Sequence, residues 1–324
     1  MAAGLAGLAV GCAALAQNGQ PMSLAEVQAR AAAGDPGAQN ELGRVYYNGL
    51  GTEIDHKQAF YWYGKAAEQS FVAAESKIGD MYMAGDGIGR DPVTALSWYH
   101  DAADAGDLHA AYEIGEAYDN GAGVPQDETK AFYWYTIAAG GGLADAQYNL
   151  GVMYDQGQGV AVNYIKAAGW YEKAAGQGVA DAQYNLATMY ERGEGEPKND
   201  GAALYWLYKA GAQGQMAAQV DLGQRYLDGR GVPAGDRTAF QWFLLAATQG
   251  DALSQARMAQ FYAQGRGTTQ DDASALAWAQ LSAQQGSADG KTVLDALSPG
   301  MTDDDKARAA ILMTELVKPG SNSN

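Results

Sequence analysis

Between residues 35 and 286, apolar and small residues recur at helical spacing, in blocks separated by polar turns that carry glycine. In the stretch Leu143 to Gly178, Ala146, Leu150 and Tyr154 are four residues apart and stack on one face of a helix. Ala167, Trp170 and Ala174 form a second stripe with i, i+3, i+7 spacing. The block therefore predicts two helices of about twelve to fourteen residues, each roughly 20 Å long, joined by short turns.

The same block occurs seven times with a period of 36, counting Asp35 as position 1 and ending at Gly286. Position 12 is always tyrosine (Tyr46 to Tyr262), position 25 always alanine (Ala59 to Ala275), and positions 15 and 17 always glycine. All seven tryptophans, Trp62 to Trp278, fall at position 28. This invariance predicts that the Trp and Tyr columns are inter-helix core. Position 9, usually glycine as in Gly151, offers room for a neighbouring helix.

The turn chemistry agrees. Glycine at position 36 suits a left-handed residue after a helix end. Asp or Asn at position 21 (Asp55, Asp91, Asp127, Asn163, Asn199, Asp271) supplies an N-cap oxygen, and Pro92 directly follows Asp91 at the favoured first helical position. The sixth block departs, with Gly235 there and Asp236 one later. "YDQGQGV", Tyr154 to Val160, could by itself pass for a phosphate-cradling loop. Its seven copies link helix to helix, with no preceding strand and no following Gly-Lys-Ser/Thr, so the stretch reads as a hinge. In it Gly157 ends a helix, Gly159 permits the reversal and Tyr154 is core.

The pattern A-x-x-x-L-G-x-x-Y-x-x-G-x-G-V followed by A-x-x-W-Y-x-x-A-A-x-x-G resembles the Sel-1-like repeat, a relative of the tetratricopeptide repeats. The resemblance implies an all-α fold, a right-handed α/α-superhelix of seven helix–turn–helix units (35–70, 71–106, 107–142, 143–178, 179–214, 215–250, 251–286). It also implies a scaffold or adaptor role in protein complexes, in bacteria often in the envelope or secreted space. The disulfides of the cysteine-rich secreted branch are not implied, because Cys12 is the single cysteine. Around the array, Ser23 to Gly34 reads as an orphan second helix after a linker (17–34), and residues 287–317 as C-terminal capping helices. Stacked repeats leave an apolar face at each end that needs such covers. Thr302 is the expected N-cap of the last helix, followed by Asp303, Asp304 and Asp305 in its first turn. Residues 318–324 are expected to be disordered.

Met1 to Gln17 is apolar, too short for a comfortable membrane span, and carries Ala14-Leu15-Ala16 as a cleavage signature. Residues 1–16 therefore read as an export signal for a periplasmic or secreted protein, although a positive n-region is missing. Leu8 to Cys12 offers a second reading, a relaxed lipobox with a lipid anchor on Cys12; a third is an apolar helix packed on the array.

Composition narrows the partners. The formal charge of −17 and the lack of a basic run oppose nucleic acid and anionic lipid. No Walker loop, nucleophile elbow, H-E-x-x-H helix or C-x-x-C pair occurs, so neither a cofactor nor a metal is expected. His100, with Asp104 four residues on, and His109 leave a hydrolase-type site as an alternative; the aromatic columns leave a carbohydrate-binding module.

Function then falls to positions the framework does not use. Opposite the packed stripe of the first helix lie positions 3, 6, 10, 13 and 14, the face that by analogy with tetratricopeptide repeats lines a groove. It carries Arg44, Tyr47, Asn48, Asp80, Met83, Tyr112, Glu116 and Asp119, then Tyr148, Asp155, Tyr184, Glu191, Arg192, Gln224 and Asp228. Tyrosine beside carboxylate suits an extended protein or peptide partner of basic or polar character, bound by a monomer.

Overall fold

The computed structural model describes residues 12–17 and 20–316, which divide into two compact units, one ending at Asn163 and the other beginning at Tyr164. Each unit is a stack of helices in which sequence neighbours pack against each other, the α-solenoid arrangement the period predicts. The first holds α1 (Leu24–Ala32), α2 (Pro36–Asn48), α3 (His56–Ala67), α4 (Val72–Ala84), α5 (Pro92–Asp104), α6 (Leu108–Asn120), α7 (Glu128–Gly140) and α8 (Ala144–Gln156). The second holds α9 (Tyr164–Gly176), α10 (Ala180–Arg192), α11 (Asp200–Ala212), α12 (Met216–Asp228), α13 (Asp236–Thr248), α14 (Ala252–Gln264) and α15 (Asp272–Gln284). It ends in α16 (Ala288–Leu297), a 3-10 turn and α17 (Asp303–Leu316).

The turns obey the predicted chemistry. Gly157 and Gly159 have φ of 77° and 64°, and a Cβ on Gly159 would fall 2.2 Å from the Glu128 carbonyl oxygen at the start of α7. The Gly159 N–H donates to the Glu128 carboxylate at 3.0 Å, so the loop binds its own chain. Position 36 is left-handed even where it is not glycine: Ser70, φ 58°, is the one non-glycine with positive φ among the described residues. Asp55, Asp91, Asp127 and Asn199 cap their helices through side-chain oxygens. Asp271 instead accepts from the Ser274 hydroxyl at 2.7 Å. In all seven repeats the N–H at position 21 donates to the carbonyl of the position-12 tyrosine at 2.8–3.1 Å, which closes the loop between the paired helices. Thr302 and Asp305 cap α17 reciprocally, and Ser23 and Glu26 do the same for α1.

One element was not expected. Cys12–Gln17 (β1) pairs antiparallel with Gln20–Met22 (β2), where the sequence reading had an export segment running into a linker or, alternatively, an apolar helix. The intervening Asn18-Gly19 is the dipeptide that favours a two-residue hairpin, and Pro21 opposes helix. Met22 is buried against Val27, Ala31 and Leu42. Residues 1–11 and the tail 318–324 lie outside the described residues, and with them most of the predicted export segment.

The core also differs from expectation at two columns. Six of the seven tryptophans are only half-buried, Trp278 alone being fully buried, and the position-12 tyrosines, Tyr154 included, are half-buried too. The buried aromatic is one residue later, at position 29: Tyr63, Tyr99, Tyr135, Tyr171, Leu207, Phe243 and Ala279 are all 3% exposed or less. These side chains lie over position 9. A Cβ on Gly43, Gly79, Gly115 or Gly223 would come within 2.5–2.9 Å of the Tyr63, Tyr99, Tyr135 or Phe243 ring. Where position 29 shrinks to Leu207 or Ala279, position 9 grows to Ala187 or Ala259. The pair conserves volume, as a close-packed interior requires.

A second framework device crosses between repeats. The position-5 glutamines Gln39, Gln147, Gln183, Gln219 and Gln255 are buried, and each donates from Nε2 to a carbonyl eight residues earlier at 3.0–3.2 Å. That carbonyl belongs to the last turn of the preceding helix and also accepts the N–H of the glycine that follows the helix at 3.0–3.1 Å, so the glutamine takes its second lone pair. The same side chain accepts at 2.7 Å from a position-35 glutamine in the pairs Gln69–Gln39, Gln213–Gln183, Gln249–Gln219 and Gln285–Gln255.

Candidate partner-binding face

The first helices of successive repeats place positions 10 and 13 side by side, and in the first unit these meet the hydroxyls of the buried position-29 tyrosines. Asp80 is the hub of one cluster. Its carboxylate accepts from Tyr99 Oη at 3.0 Å and Lys77 Nζ at 2.7 Å, and His109 Nε2 lies 2.9 Å away. Burial alone would raise the Asp80 carboxyl, but the bonds from His109 and Lys77 outweigh it and hold it below the usual carboxylate range. The bond to Asp80 in turn raises His109 against its own desolvation, and Glu113 lies 3.7 Å from His109 Nδ1.

Glu116 is the hub of the next cluster. Its Oε1 accepts from Tyr112 Oη at 3.1 Å, Tyr135 Oη at 2.8 Å and Asn149 Nδ2 at 2.9 Å. Asp119 lies 3.5 Å from the same Tyr135 hydroxyl, and burial together with the Glu116 charge pushes its carboxyl up. Asp80 and Glu116 thus do structural work that the sequence reading did not assign: each anchors a buried tyrosine hydroxyl from the partner helix.

Next to Asp80 opens a cleft of about 330 Å³ between α2 and α4, lined among others by Arg44, Tyr47, Tyr63, Lys77, Asp80 and Met81. Arg44 is paired with the buried Glu41 at 2.9 Å. Tyr47 stacks on His56 at 4.7 Å and donates its hydroxyl to Asp86 at 2.8 Å. Three predicted site residues therefore converge here, with an apolar floor and charged walls. Tyr148 and Asp155 are half-buried on α8.

In the second unit the predicted residues divide. Tyr184 lines a shallower pocket of about 450 Å³ with Met216, Val220, Asp221, Gln224 and Leu253. Glu191 is bound by Arg225, whose Nε also contacts Asp221 at 3.2 Å; Arg230 reaches Asp221 at 2.6 Å. Arg225 occupies position 11, held elsewhere by Val45, Met81, Ala117, Met153, Met189 and Phe261, so a cation stands at a core position. Asp228 is exposed and accepts from Gln224.

The two histidines of the hydrolase alternative face different partners: His100 packs edge-on against Trp134 at 5.2 Å, while His109 binds Asp80. Among the described residues, no group of three His, Cys, Asp or Glu side chains is placed to hold a metal, and no helix is long and apolar enough to cross a membrane.

Stacked helix pairs with a variable side-chain face define the α-solenoid class of repeat scaffold. The Sel1 repeat family model matches residues 36–71, 72–107, 108–143, 144–179, 180–215, 217–251 and 252–287. A crystal structure of a Sel1 repeat protein from Oxalobacter formigenes is 34% identical over 84% of this chain and 78% of that one, with a TM-score of 0.71. The chain belongs to the Sel1 repeat family, whose members are generally protein–protein interaction scaffolds and typically non-enzymatic. It is also similar to c5321, a protective antigen of uropathogenic Escherichia coli strains with an SLR fold. That likeness is 26% identity over 94% of this chain and 85% of that chain, TM-score 0.46. Comparison with curated proteins gives no match.

Proposed function

We propose that this protein is a non-catalytic adaptor of the cell envelope or secreted space that holds an extended peptide on its first-helix face, anchored in the cleft between α2 and α4. The observation that carries this reading is the convergence of Arg44, Tyr47 and Asp80 on one cleft with an apolar floor. A half-buried aromatic beside fixed charges gives a peptide contact area and direction at little ordering cost. The adjoining Glu113 and Asp119, both pushed up by burial, gain from a basic side chain on the ligand.

The test is selection of extended peptides on the full chain, followed by affinity measurement with Tyr47→Ser and with Tyr112→Ser. Loss of about tenfold or more in either variant, with the thermal transition unchanged, is the expected result. Equal affinity in both variants sinks the groove. Mass spectrometry of material recovered from the exported fraction tests the envelope reading: a start after Ala16, or a lipid on Cys12, supports export, and an intact Met1 overturns it.

One observation favours the carbohydrate alternative. Exposed Tyr61, Tyr133 and Tyr205 each stand edge-on to a half-buried tryptophan, Trp62, Trp134 and Trp206, in the first, third and fifth repeats. Glycan-array binding lost on Tyr133→Ala would move the assignment there.

A further inference from the structure

The second repeat breaks the glutamine pattern at both of its positions. Position 5 is Glu75 and position 35 is Ala105, where Gln39, Gln183, Gln219 and Gln255 meet Gln69, Gln213, Gln249 and Gln285. Glu75 is 7% exposed and has no hydrogen-bond partner among the described residues. By repeat equivalence one of its oxygens stands where glutamine Oε1 accepts an N–H that arrives from the exposed side chain at position 35. Here that donor is replaced by a methyl group, so the largely buried Glu75 side chain presents its carboxylate to the solvent edge with no donor from its own chain.

The surroundings select the sign of what arrives. Asp101 and Ala105 are one helical turn apart on α5, both exposed, so a carboxylate flanks the approach. Position 31 is Lys65, Ile137, Lys173, Lys209, Leu245 and Leu281 in the other repeats; Asp101 is its one acid. The carbonyl ends of α3 and α5 add negative potential at this edge, against the positive end of α4, in whose first turn Glu75 lies. The basic Lys65 is already engaged by Glu68 at 2.9 Å.

We infer that Glu75 and Asp101 form a receiving site for one basic side chain, an arginine or lysine of a partner protein, which completes the rung from outside. The cationic N–H takes the place of the position-35 amide, donating to Glu75, while Asp101 flanks the same cation as a second carboxylate. Burial and the neighbouring Asp101 charge push the Glu75 carboxyl up, a penalty that an incoming cation relieves. This site is separate from the cleft between α2 and α4 and stands whether or not that cleft binds a peptide.

The experiment titrates the full chain, 13C-labelled, with N-acetyl-arginine methylamide at constant ionic strength, following the Glu75 carboxyl resonance assigned through Glu75→Gln. The arginine probe is expected to shift that resonance, and N-acetyl-norleucine methylamide to leave it in place. Ala105→Gln restores the side chain found in five other repeats, so it should fold normally and weaken the response about tenfold or more. Asp101→Asn should weaken it several-fold. A silent wild type, or an undiminished response in Ala105→Gln, overturns the proposal. A response to spermidine without one to the arginine amide assigns the site to a free polyamine and overturns the partner-protein form.

Discussion

The two units use one framework with different completeness. In the second, Gln183–Gln213, Gln219–Gln249 and Gln255–Gln285 form three successive closed rungs. In the first, Gln39–Gln69 closes and the next two repeats depart, with Glu75 and Ala105, then Ala111 and Gly141. Those two repeats also carry the carboxylate hubs Asp80 and Glu116, and the earlier of them lines the cleft through Lys77 and Asp80, opposite Arg44 and Tyr47 of the closed first repeat. The second unit places its buried charge differently: Arg225 sits at a core position and ties Glu191 and Asp221 together. In the first unit the departures from the rung pattern thus fall in the same repeats as the two carboxylate hubs.

The strongest challenge to this comparison is truncation of the position-29 column. Tyr135→Ala in the first unit should cost about 3–5 kcal/mol and Leu207→Ala in the second about 2–5 kcal/mol, read by chemical denaturation. If both are far below this, position 29 is not the core of either unit. Tyr135→Phe separates the ring from its hydroxyl and should cost about 1 kcal/mol through the lost hydrogen bond to Glu116, which keeps Tyr112 and Asn149.

Arg225 sharpens the contrast from the other side. Arg225→Ala should destabilise by about 2–4 kcal/mol because it strands Glu191 and leaves Asp221 to Arg230 alone, discounted for their partial exposure. Arg225→Met restores the residue type of Met81, Met153 and Met189; a penalty well below that of alanine is expected in the same assay. Equal losses would show that the cation, not the volume, holds position 11.

Glu75→Gln should stabilise the chain by about 1 kcal/mol near neutral pH, since it returns the buried donor to the rung. The sign follows from linkage. With its folded value raised, Glu75 binds more protons in the folded state, so its contribution falls as pH rises through the window above 4.5. The gain from the glutamine variant should therefore shrink on acidification below that window; a pH-independent gain contradicts the assignment. The smallest effect concerns His109, which is raised by Asp80. Its contribution is fully present below about 6.5 and lost as pH rises through the folded value. His109→Gln should flatten the slope of thermal stability there; an unchanged slope separates His109 from the Asp80 hub.

The period, the helix ends and the turn glycines were legible in the sequence because each is fixed by backbone geometry that one residue type meets best. Depth was less legible. Tryptophan is invariant at position 28 yet mostly half-buried, while position 29 varies from tyrosine to alanine and is always inside. Burial there is a property of a pair, since position 9 adjusts to whatever position 29 brings, and no single column shows a sum. The candidate face was read from the sequence as a set of outward positions. What escaped was that Asp80 and Glu116 are held by hydroxyls from the paired helix, a contact 19 residues away in the chain.

The ring-over-glycine lock joins the two helices of one repeat, whereas the glutamine Nε2 bond reaches the repeat before it. Copy number can therefore change by whole 36-residue modules when the amide contact re-forms, and any neighbour supplies for it the same helix-end carbonyl. A breakpoint inside a module would separate a ring from the gap cut to its size and mismatch both halves. The architecture thereby favours duplication and deletion in one phase of its period, and it lets individual modules, such as the one carrying Glu75 and Ala105, diverge without disturbing the register of the rest.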